Sequence, residues 1–555
     1  MKRREFLRAM PAFAAPFMLG GIPMTALGKE NFLTQIAAGA TNDKVIVLIQ
    51  LHGGNDGLNT LVPIAQYGEY YNLRPGIAIK DFGTRKFITL DKKLENTSKD
   101  IGLHPDMVGI KELYDAGRVS IIQSVAYQNL NMSHFRSRDI WYTGSDANQY
   151  LGTGWMGRYL DDTYPGYPKA YPSDTNPDPL AIELGRDVSL AFHNGKMPMS
   201  ISIDNPEQFF NLITEVRNSE LPPELKDTYY NFELDYISQM EQKSDQYAGR
   251  LKTVFDKGSN TAAVVYPSKY ILKAPKGVVN NELAPQLKLI ARLLSGGCKT
   301  KVFLARLTGF DTHDNQVEYR SDEPSMGMHA ALLSHLSSAM LAFQNDLKGL
   351  GIENKVLTAT FSEFGRRPES NDSYGTDHGT AAPMFLFGSC VKPGVIGNAP
   401  DLKNLDGGGN LRQQYDYRQV FSTMLKDWFA APDDVINNKI LFGKYNTPDT
   451  KLDLITPCNS VGTEGFVSNR FKLFECFPNP AKASTTIKYF INADTDVTLT
   501  LIDVHGHTVK ELVKGFQTAG EYTLNCNLDM VKPGTYVYKI EAGQLRSAKK
   551  LIVVQ

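Results

Sequence analysis

The sequence is poor in cysteine, lacks long apolar runs and has no excess of either charge. Five cysteines among 555 residues are too few for a disulfide scaffold. Lys and Arg together number 59 and Asp and Glu number 60, so the overall charge gives no reason to expect nucleic-acid binding. No apolar run reaches the roughly 20 residues that a membrane span needs.

The composition is that of an ordinary globular protein. Hydrophobic residues make up 42% of the chain and charged residues 21%, which excludes long disorder and collagen-like repeats. At about 150 residues per domain, the length allows three or four domains, or one large α/β domain followed by a small one. The patterns along the chain favour the second division.

The N-terminus has the pattern of an export signal. Residues 1–8 contain four basic residues, and residues 9–27 are mostly apolar with interrupting prolines. The paired arginines Arg3 and Arg4 resemble those of a twin-arginine signal. We therefore predict an export signal at residues 1–28, read by the twin-arginine or the general export machinery, and passage through the periplasm.

The C-terminal part, residues 471–555, differs from the rest of the chain. Short alternating runs separated by turn residues predict a small all-β sandwich. A polar stretch with Pro and Gly at residues 446–470 predicts a linker before it. Cys458 and Cys476 flank this junction and are candidates for a disulfide, and Cys526 is a competing partner, because spacing alone does not fix connectivity.

The C-terminal part resembles the type A sorting domain of the type IX secretion system. The motifs that carry the resemblance are Phe477-Pro478-Asn479-Pro480, Leu501-Ile502-Asp503-Val504-His505-Gly506, Pro533-Gly534-Thr535-Tyr536 and Lys549-Lys550-Leu551-Ile552-Val553-Val554. The resemblance implies that the type IX secretion machinery handles residues 471–555 and that the protein reaches the cell surface or the medium. A β-sandwich that binds carbohydrate or protein is the alternative.

The central part, residues 42–445, contains apolar runs that end in small or polar residues. Near-continuous apolar strands of this kind predict an α/β domain with a largely parallel sheet and flanking helices. The runs are 45–51, 119–122, 302–307, 356–361 and 384–387, and the spacing of apolar residues between 328 and 347 predicts a helix. We predict that residues 144–282 form an insertion or cap beside the site.

Chemistry-bearing residues follow several of these predicted strands, where a parallel sheet binds its ligands. They are Asp56, Ser133, Asp311, His313 and Glu363, together with Asp377 and His378 before the last strand. Carboxylates with imidazoles suit zinc or manganese, and carboxylates alone suit calcium or magnesium, so the expected cofactor is one of these divalent metals. A serine that begins a helix is a position for an activated nucleophile.

This order of parts resembles the alkaline phosphatase and sulfatase superfamily. More closely, the central domain resembles the family called domain of unknown function 1501. Its motifs here are His52-Gly53-Gly54-Asn55-Asp56-Gly57, Ser133-His134-Phe135-Arg136, Asp311-Thr312-His313, Ser362-Glu363-Phe364-Gly365 and Gly375-Thr376-Asp377-His378-Gly379. The resemblance implies an alkaline phosphatase-like fold and a metal-dependent hydrolase of phosphate or sulfate esters.

The roles implied by the superfamily fall on two predicted sites. One contains Asp311, His313 and His378, and the other contains Asp56, Ser133 and Glu363. Ser133 is the expected nucleophile. In a rival alignment, Asp377 and His378 form the Asp-His pair that follows the fourth strand.

Arg136, one turn into the helix that Ser133 begins, is the expected clamp for the phosphate or sulfate group, because guanidinium binds oxyanions in a bidentate manner. Each residue also has an ordinary structural interpretation: a serine at a helix start commonly serves as an N-cap, and an aspartate in a Gly-rich turn commonly binds backbone N–H groups.

Three functions fit these patterns. The first is an exported hydrolase acting on a small-molecule or glycan ester. The second is a catalytically inactive surface binding or assembly protein with the same fold, suggested by the incomplete ligand pattern and the sorting domain. The third is a cofactor-loaded oxidoreductase, suggested only by the twin arginines. The sequence leaves open the substrate, the metal and the oligomeric state.

Overall fold

The strands at the centre of the fold are rich in Val, Ile, Leu and Phe because both faces of the sheet are covered. The computed structural model describes residues 15–19, 22–26, 43–204, 247–318, 323–456, 458, 471–474, 476–491, 494–503, 507–518, 520–542 and 545–554. Most of the predicted export signal at 1–28 lies outside these residues. The chain divides into two units, Met1–Cys458 and Asn459–Gln555, with the boundary inside the predicted linker.

The strands are β1 (Ala15–Leu19), β2 (Ile22–Ala26), β3 (Val45–His52), β4 (Leu61–Pro63), β5 (Ile88–Thr89), β6 (Ile101–Leu103), β7 (Val119–Ala126), β8 (Ala181–Leu184), β9 (Ser200–Ile203), β10 (Val302–Thr308), β11 (Val356–Phe361), β12 (Ala382–Phe387), β13 (Gly394–Ile396), β14 (Tyr415–Asp416), β15 (Phe471–Leu473), β16 (Ser484–Ile491), β17 (Thr495–Ile502), β18 (Thr508–Gln517), β19 (Gly520–Asn527), β20 (Gly534–Ala542) and β21 (Leu545–Val553). The helices whose bounds lie within the described residues include α1 (Gly57–Thr60), α2 (Tyr67–Leu73), α3 (Val108–Asp115), α4 (His134–Thr143), α5 (Trp155–Thr163), α6 (Leu283–Ser295), α7 (Met328–Gly349), α8 (Tyr417–Thr423) and α9 (Asp433–Val435).

The main sheet has the strand order β13-β7-β12-β11-β3-β10-β8-β9, with β14 beside β7. Strand β3 pairs in parallel with β10 and with β11. Strand β12 runs antiparallel to both of its neighbours, β11 and β7. The loop before β12 therefore reaches the same edge as the loops that follow β3, β7, β10 and β11, which brings the predicted site residues together.

Alternate residues of β3 enter two separate cores. Val47 and Ile49 belong to the core covered by α3, α6 and α7, whereas Ile46 and Leu48 belong to the core covered by α4, α5 and α8. The prediction of an α/β unit with a largely parallel sheet is confirmed. Helix α7 spans the predicted helical pattern, and among the described residues no helix is long and apolar enough to cross a membrane.

The stretch from 144 to 282 contributes strands to the main sheet, and its role as an insertion or cap beside the site stays a prediction. Two of its strands, β8 and β9, extend the main sheet in parallel beyond β10. The short apolar runs of β8 and β9 are surrounded by Pro, Gly and Asp, which is why their part in the sheet is hard to recognise in the sequence. Residues 205–246 of this stretch lie outside the described residues.

Cys458 forms a disulfide with Cys390 and therefore is not the partner of Cys476. The segment before Cys458 lies along the segment that contains Cys390, since Lys392 N donates to Leu454 O at 2.7 Å and Thr456 N donates to Cys390 O at 2.8 Å. The disulfide pairing depends on this tertiary contact, which the spacing of the cysteines in the sequence does not reveal. Cys476 and Cys526 are buried thiols within the part of the sandwich that the structure describes.

The C-terminal unit is the predicted β-sandwich. One antiparallel sheet has the order β15-β16-β19 and the other has the order β18-β17-β20-β21. Inward-facing residues alternate along the strands, so that Leu499, Leu501, Tyr538 and Ile540 are fully buried between the sheets. The prediction of a small all-β C-terminal domain is confirmed.

Candidate metal centre

The loops that follow β3 and β10 meet at the carboxyl edge of the main sheet. The backbone N–H of Phe310, after β10, donates to the carbonyl of His52, the last residue of β3, at 3.0 Å. Gly53 has φ +124°, and a Cβ at this position would lie 2.1 Å from the backbone nitrogen of Asp311. Glycine is needed here because only a residue without a side chain lets the two loops approach this closely.

His134, Asp311 and His378 form a cluster at this edge, with one ligand atom from each lying within 4.8 Å of the others. His134 Nε2 lies 3.5 Å from Asp311 Oδ2, and His378 Nε2 lies 3.7 Å from Asp311 Oδ1. Both Nε2 atoms are buried and have no hydrogen-bond partner among the described residues. Buried polar atoms are nearly always satisfied, so two such nitrogens directed at one carboxylate indicate a position for a ligand.

The other nitrogen of each imidazole is fixed by an acceptor. His134 Nδ1 lies 3.0 Å from Glu363 Oε1, and this oxygen also accepts from Gly53 N at 2.9 Å. His378 Nδ1 donates to the carbonyl of Met132 at 2.7 Å. A carbonyl or a carboxylate only accepts, so each Nδ1 carries the proton and each Nε2 presents a lone pair to the centre.

Arg366 supplies the main positive charge of the cluster. Its buried guanidinium donates to Asp311 Oδ1 at 2.7 Å and to backbone carbonyls, including that of Gly54 at 2.9 Å. Burial raises the pKa of Asp311, but the hydrogen bond and charge of Arg366 outweigh it and lower that pKa to about 2. Burial and the charge of Arg366 lower the pKa of His378, which keeps this imidazole neutral and able to bind a metal at neutral pH.

His313 lies at the outer side of the cluster. Its Nδ1 is 2.7 Å from Asp311 Oδ1, and its ring centroid is 4.5 Å from that of His378. Its side chain is 44% exposed, whereas that of His134 is 25% exposed. His313 therefore contacts the carboxylate of the cluster from the solvent side, and its predicted role as a metal ligand stays a prediction.

The cluster fits a divalent metal. Two imidazole nitrogens and one carboxylate are a common set of three protein ligands, which leaves a further coordination position for water or substrate. Both imidazoles have their second nitrogen held by an acceptor, as metal-binding histidines do. The predicted cofactor thus has a candidate site at His134, Asp311 and His378.

Asp56 lies in a different environment, separate from this cluster. Arg74 Nη1 donates to both of its carboxylate oxygens, at 2.9 and 2.7 Å, and Gln316 Nε2 donates at 2.6 Å. Burial alone raises the pKa of Asp56, but the charge of Arg74 and the bond from Gln316 bring it below its usual range. This environment differs from the predicted second metal site, because both carboxylate oxygens already accept hydrogen bonds from protein side chains.

Ser133 is the N-cap of α4 and is exposed, and its side chain makes no capping hydrogen bond in the described part of the chain. Its neighbours on both sides contact the cluster, since Met132 O accepts from His378 and His134 is one of the three clustered residues. Ser133 therefore lies between two residues that contact the cluster, and its hydroxyl does not act as an ordinary cap.

Arg136 makes contacts other than the predicted oxyanion clamp. Its guanidinium donates to the carbonyls of Ala147, at 3.1 Å, and Gln149, and lies 3.9 Å from the ring centroid of Tyr150. These contacts hold the loop after α4. On this helix the arginine packs against its own neighbouring loop, a use that helical spacing does not distinguish from ligand binding.

Glu363 and Asp377 flank the cluster in different ways. Glu363 is fully buried and contacts His134, so it belongs with the first predicted site rather than with Asp56. Asp377 is exposed and accepts from Asn371 Nδ2 at 3.1 Å. The structure thus brings Asp311, His313, Glu363 and His378 together and leaves Asp377 at the surface beside them.

His134 was missed by the sequence analysis. It stands directly after Ser133, as the first residue of α4. The available signal was its position in the first turn of a helix that begins near the sheet edge, a signal that His134 shares with Phe135 and Arg136. The ring centroids of His134 and His378 are 4.4 Å apart, although the two residues are distant in the sequence.

These features define an α/β protein with a candidate metal centre at its sheet edge, followed by a β-sandwich. The model of a family described as protein of unknown function (DUF1501) matches residues 43–436, and the chain belongs to this family. The model of the secretion system C-terminal sorting domain matches residues 475–554. The sorting domain indicates export to the cell surface or the medium and handling by the type IX secretion machinery, as predicted.

Comparisons with known proteins find more distant similarities. No curated protein matches the chain. Dimeric latent PorU from Porphyromonas gingivalis is 25% identical over 15% of this chain and only 9% of its own length, with a TM-score of 0.14. A protein in the alkaline phosphatase superfamily from Vibrio parahaemolyticus is 7% identical over 82% of this chain and 76% of its own, with a TM-score of 0.29. The PsFucS1 sulfatase from Pseudoalteromonas sp. is 13% identical, covering 91% and 89%, with a TM-score of 0.30.

Proposed function

We propose that this protein is an exported, metal-dependent hydrolase of phosphate or sulfate esters. The observation that carries the proposal is the pair of buried Nε2 atoms, on His134 and His378, which lack a hydrogen-bond partner among the described residues and lie 3.5 and 3.7 Å from Asp311. Lone pairs arranged in this way around a carboxylate are suited to one divalent ion.

The proposed ligands are His134 Nε2, His378 Nε2 and an Asp311 carboxylate oxygen. Two imidazoles favour zinc or another transition ion over magnesium and calcium, which prefer oxygen ligands. When bound, such an ion polarises an ester oxygen as a Lewis acid. Glu363 keeps the Nδ1 proton of His134 in place, and the Met132 carbonyl does the same for His378.

Ser133 is the proposed nucleophile. Its exposed hydroxyl begins α4, where backbone N–H groups and the helix dipole favour an anion, and its two neighbours contact the cluster. In the proposed reaction the Ser133 oxygen bonds to phosphorus or sulfur as the bridging oxygen of the ester leaves, and the serine proton passes to solvent. Water then hydrolyses the seryl ester and restores the hydroxyl.

The charges around the cluster support an anionic substrate. Arg366 neutralises Asp311, and Arg74 neutralises Asp56. Glu363, beside His134, adds one further negative charge. A divalent ion added to the two neutral imidazoles therefore still leaves a net positive site. Such a site attracts phosphate or sulfate groups.

A second candidate is a surface binding or assembly protein without catalysis. The observation that favours it is the environment of Asp56, whose oxygens are bound by Arg74 and Gln316, so that no second ion is expected there. A protein that retained only one metal for stability would keep the cluster and lose turnover.

An ester screen separates the two candidates. The full chain, purified without chelator and supplied with zinc or manganese, is assayed on 4-nitrophenyl phosphate, bis-4-nitrophenyl phosphate and 4-nitrophenyl sulfate. We expect turnover of at least one ester, with a loss of at least 100-fold in Ser133→Ala and little change in the control Ser98→Ala. Turnover that survives in Ser133→Ala contradicts the assigned nucleophile, and a metal-loaded chain without turnover favours the binding protein.

The export route completes the proposal. We propose that residues 1–28 direct the chain through the twin-arginine machinery to the periplasm before the type IX step. Replacing Arg3 and Arg4 by lysine keeps the positive charge, so a general signal still works whereas a twin-arginine signal fails. Accumulation of the Arg3→Lys/Arg4→Lys variant in the cytoplasm supports this route, and unchanged secretion contradicts it.

A further inference from the structure

A cavity lies on the same edge of the main sheet as the candidate centre. It has a volume of about 520 Å³ and is bounded by the loops after β8 and β9, the end of β10 and the start of α6. Thr308, the last residue of β10, lines it, and Asp311 of the cluster follows three residues later. Three residues of chain span at most about 11 Å, so the Cα of Thr308 at the rim of the cavity lies within that distance of the Cα of Asp311.

The floor of this cavity is apolar and its rim is polar. Leu184, Ile203 and Leu289 are at most 7% exposed and form the floor. The exposed rim carries hydrogen-bonding side chains, including Glu282 and Thr308, whose hydroxyl donates to Glu282 Oε2 at 3.3 Å. A sugar ring has a matching distribution of polarity, because its C–H groups form an apolar face and its hydroxyl groups form a polar edge.

The charges of the cavity argue against an anion. Arg186 pairs with Asp204 at 2.8 Å, and Arg306 pairs with Glu183 at 2.6 Å, so both arginines of the lining already have carboxylate partners. The lining also contains Asp187 and Glu282, which make it negative overall. An oxyanion is repelled here and attracted to the proposed metal centre, whereas paired charges offer donors and acceptors to hydroxyl groups.

We propose that this cavity is a subsite for the uncharged, polyhydroxylated part of the substrate, a sugar residue that carries the ester. The proposal rests on the proposed function, because the ester group itself is assigned to the neighbouring centre. It adds a substrate class, a sulfated or phosphorylated saccharide, and a binding surface formed by β8, β9, β10 and α6.

Binding of unesterified sugars tests the cavity separately from the chemistry of the centre. Neutral galacto-, gluco-, manno- and xylo-oligosaccharides of three to six residues are titrated into the full chain and followed by saturation-transfer NMR and calorimetry. We expect at least one series to bind. The double variant Glu282→Gln/Thr308→Val, which removes a charge and a hydroxyl from the rim with little change in volume, is expected to weaken that binding at least tenfold.

Glu95→Gln is the matched control, since Glu95 is also an exposed carboxylate but does not line the cavity. If the double variant loses its unfolding transition, Glu282→Gln alone repeats the test at an exposed position. Failure of the whole panel to bind overturns the proposal, as does equal binding by the folded variant. Turnover of nitrophenyl esters by the unaltered chain is measured in parallel, so that a failed centre and a failed sugar subsite are told apart.

Discussion

Two carboxylates at the same sheet edge face a buried arginine, yet their surroundings differ. Asp56 is fully buried, and Arg74 and Gln316 donate to its oxygens. The Asp311 side chain is half exposed, and Arg366 takes one of its oxygens while two imidazole Nε2 atoms approach within 3.7 Å. The comparison teaches that an Asp at a strand end is a candidate metal ligand only when the hydrogen-bond donors of the protein leave one of its carboxylate oxygens able to bind a metal.

The first prediction removes the arginine of the buried pair formed by Asp56 and Arg74, which we call the closed pair. Arg74→Ala leaves Asp56 as an uncompensated buried charge, because both side chains are fully buried in the native protein. We expect the free energy of unfolding to fall by about 3–5 kcal/mol, the usual cost of breaking a buried pair. Urea denaturation of the full chain measures the change, with Arg186→Ala in an exposed pair as the control. A loss equal to that of the control contradicts a structural role for Arg74.

The second prediction concerns His329, which borders the closed pair. Its Nε2 lies 3.1 Å from Asn55 Oδ1, and burial lowers its pKa to about 4. The unfolded chain therefore binds a proton between pH 6.5 and 4 while the folded protein does not, so stability falls as the pH is lowered through this range. His329→Gln should remove up to about 3 kcal/mol of this pH dependence.

Thermal and urea unfolding between pH 7 and 4 measure the difference between the two proteins. His507→Gln, in the exposed part of the sandwich, serves as the control. A constant difference between wild type and His329→Gln across the range is inconsistent with a neutral buried imidazole.

The third prediction concerns the candidate metal centre around Asp311. Glu363 binds His134 Nδ1 from a fully buried position, and removing such a partner of a ligating histidine typically weakens metal binding 10- to 100-fold. Glu363→Gln should therefore lower zinc affinity by this factor while the chain remains folded. Competition with a chromophoric chelator measures the affinity.

Asp377→Asn is the matched control and gives the smallest expected effect. Asp377 is next to His378 in sequence but exposed, so its loss should change zinc affinity less than twofold. Equal effects of the two substitutions would mean that general charge, rather than the contact with His134, controls the site.

The sequence predicted the sheet and several of the residues that lie in the candidate metal centre. The five apolar runs became β3, β7, β10, β11 and β12 because buried strands leave a direct signal in composition. Asp311 and His378 were predicted since both adjoin such strands. Arg74 was not, because it lies on no strand and reaches Asp56 from a neighbouring loop, a contact that no local pattern records.

The other differences have a similar cause. Both His134 and Arg136 are on α4, but one enters the cluster and the other packs against the loop at Ala147. The helix pattern does not tell which of them meets the sheet edge. The disulfide of Cys458 depends likewise on a distant segment, that of Cys390.

Metal content is the measurement that tests the central claim most directly. The full chain is purified without chelator and analysed by mass spectrometry beside His134→Ala/His378→Ala and Asp56→Asn. We predict about one equivalent of a transition metal in the wild type and in folded Asp56→Asn, and none in the histidine variant. Equal metal content in the wild type and the folded histidine variant, or its absence from both, would contradict the assigned centre.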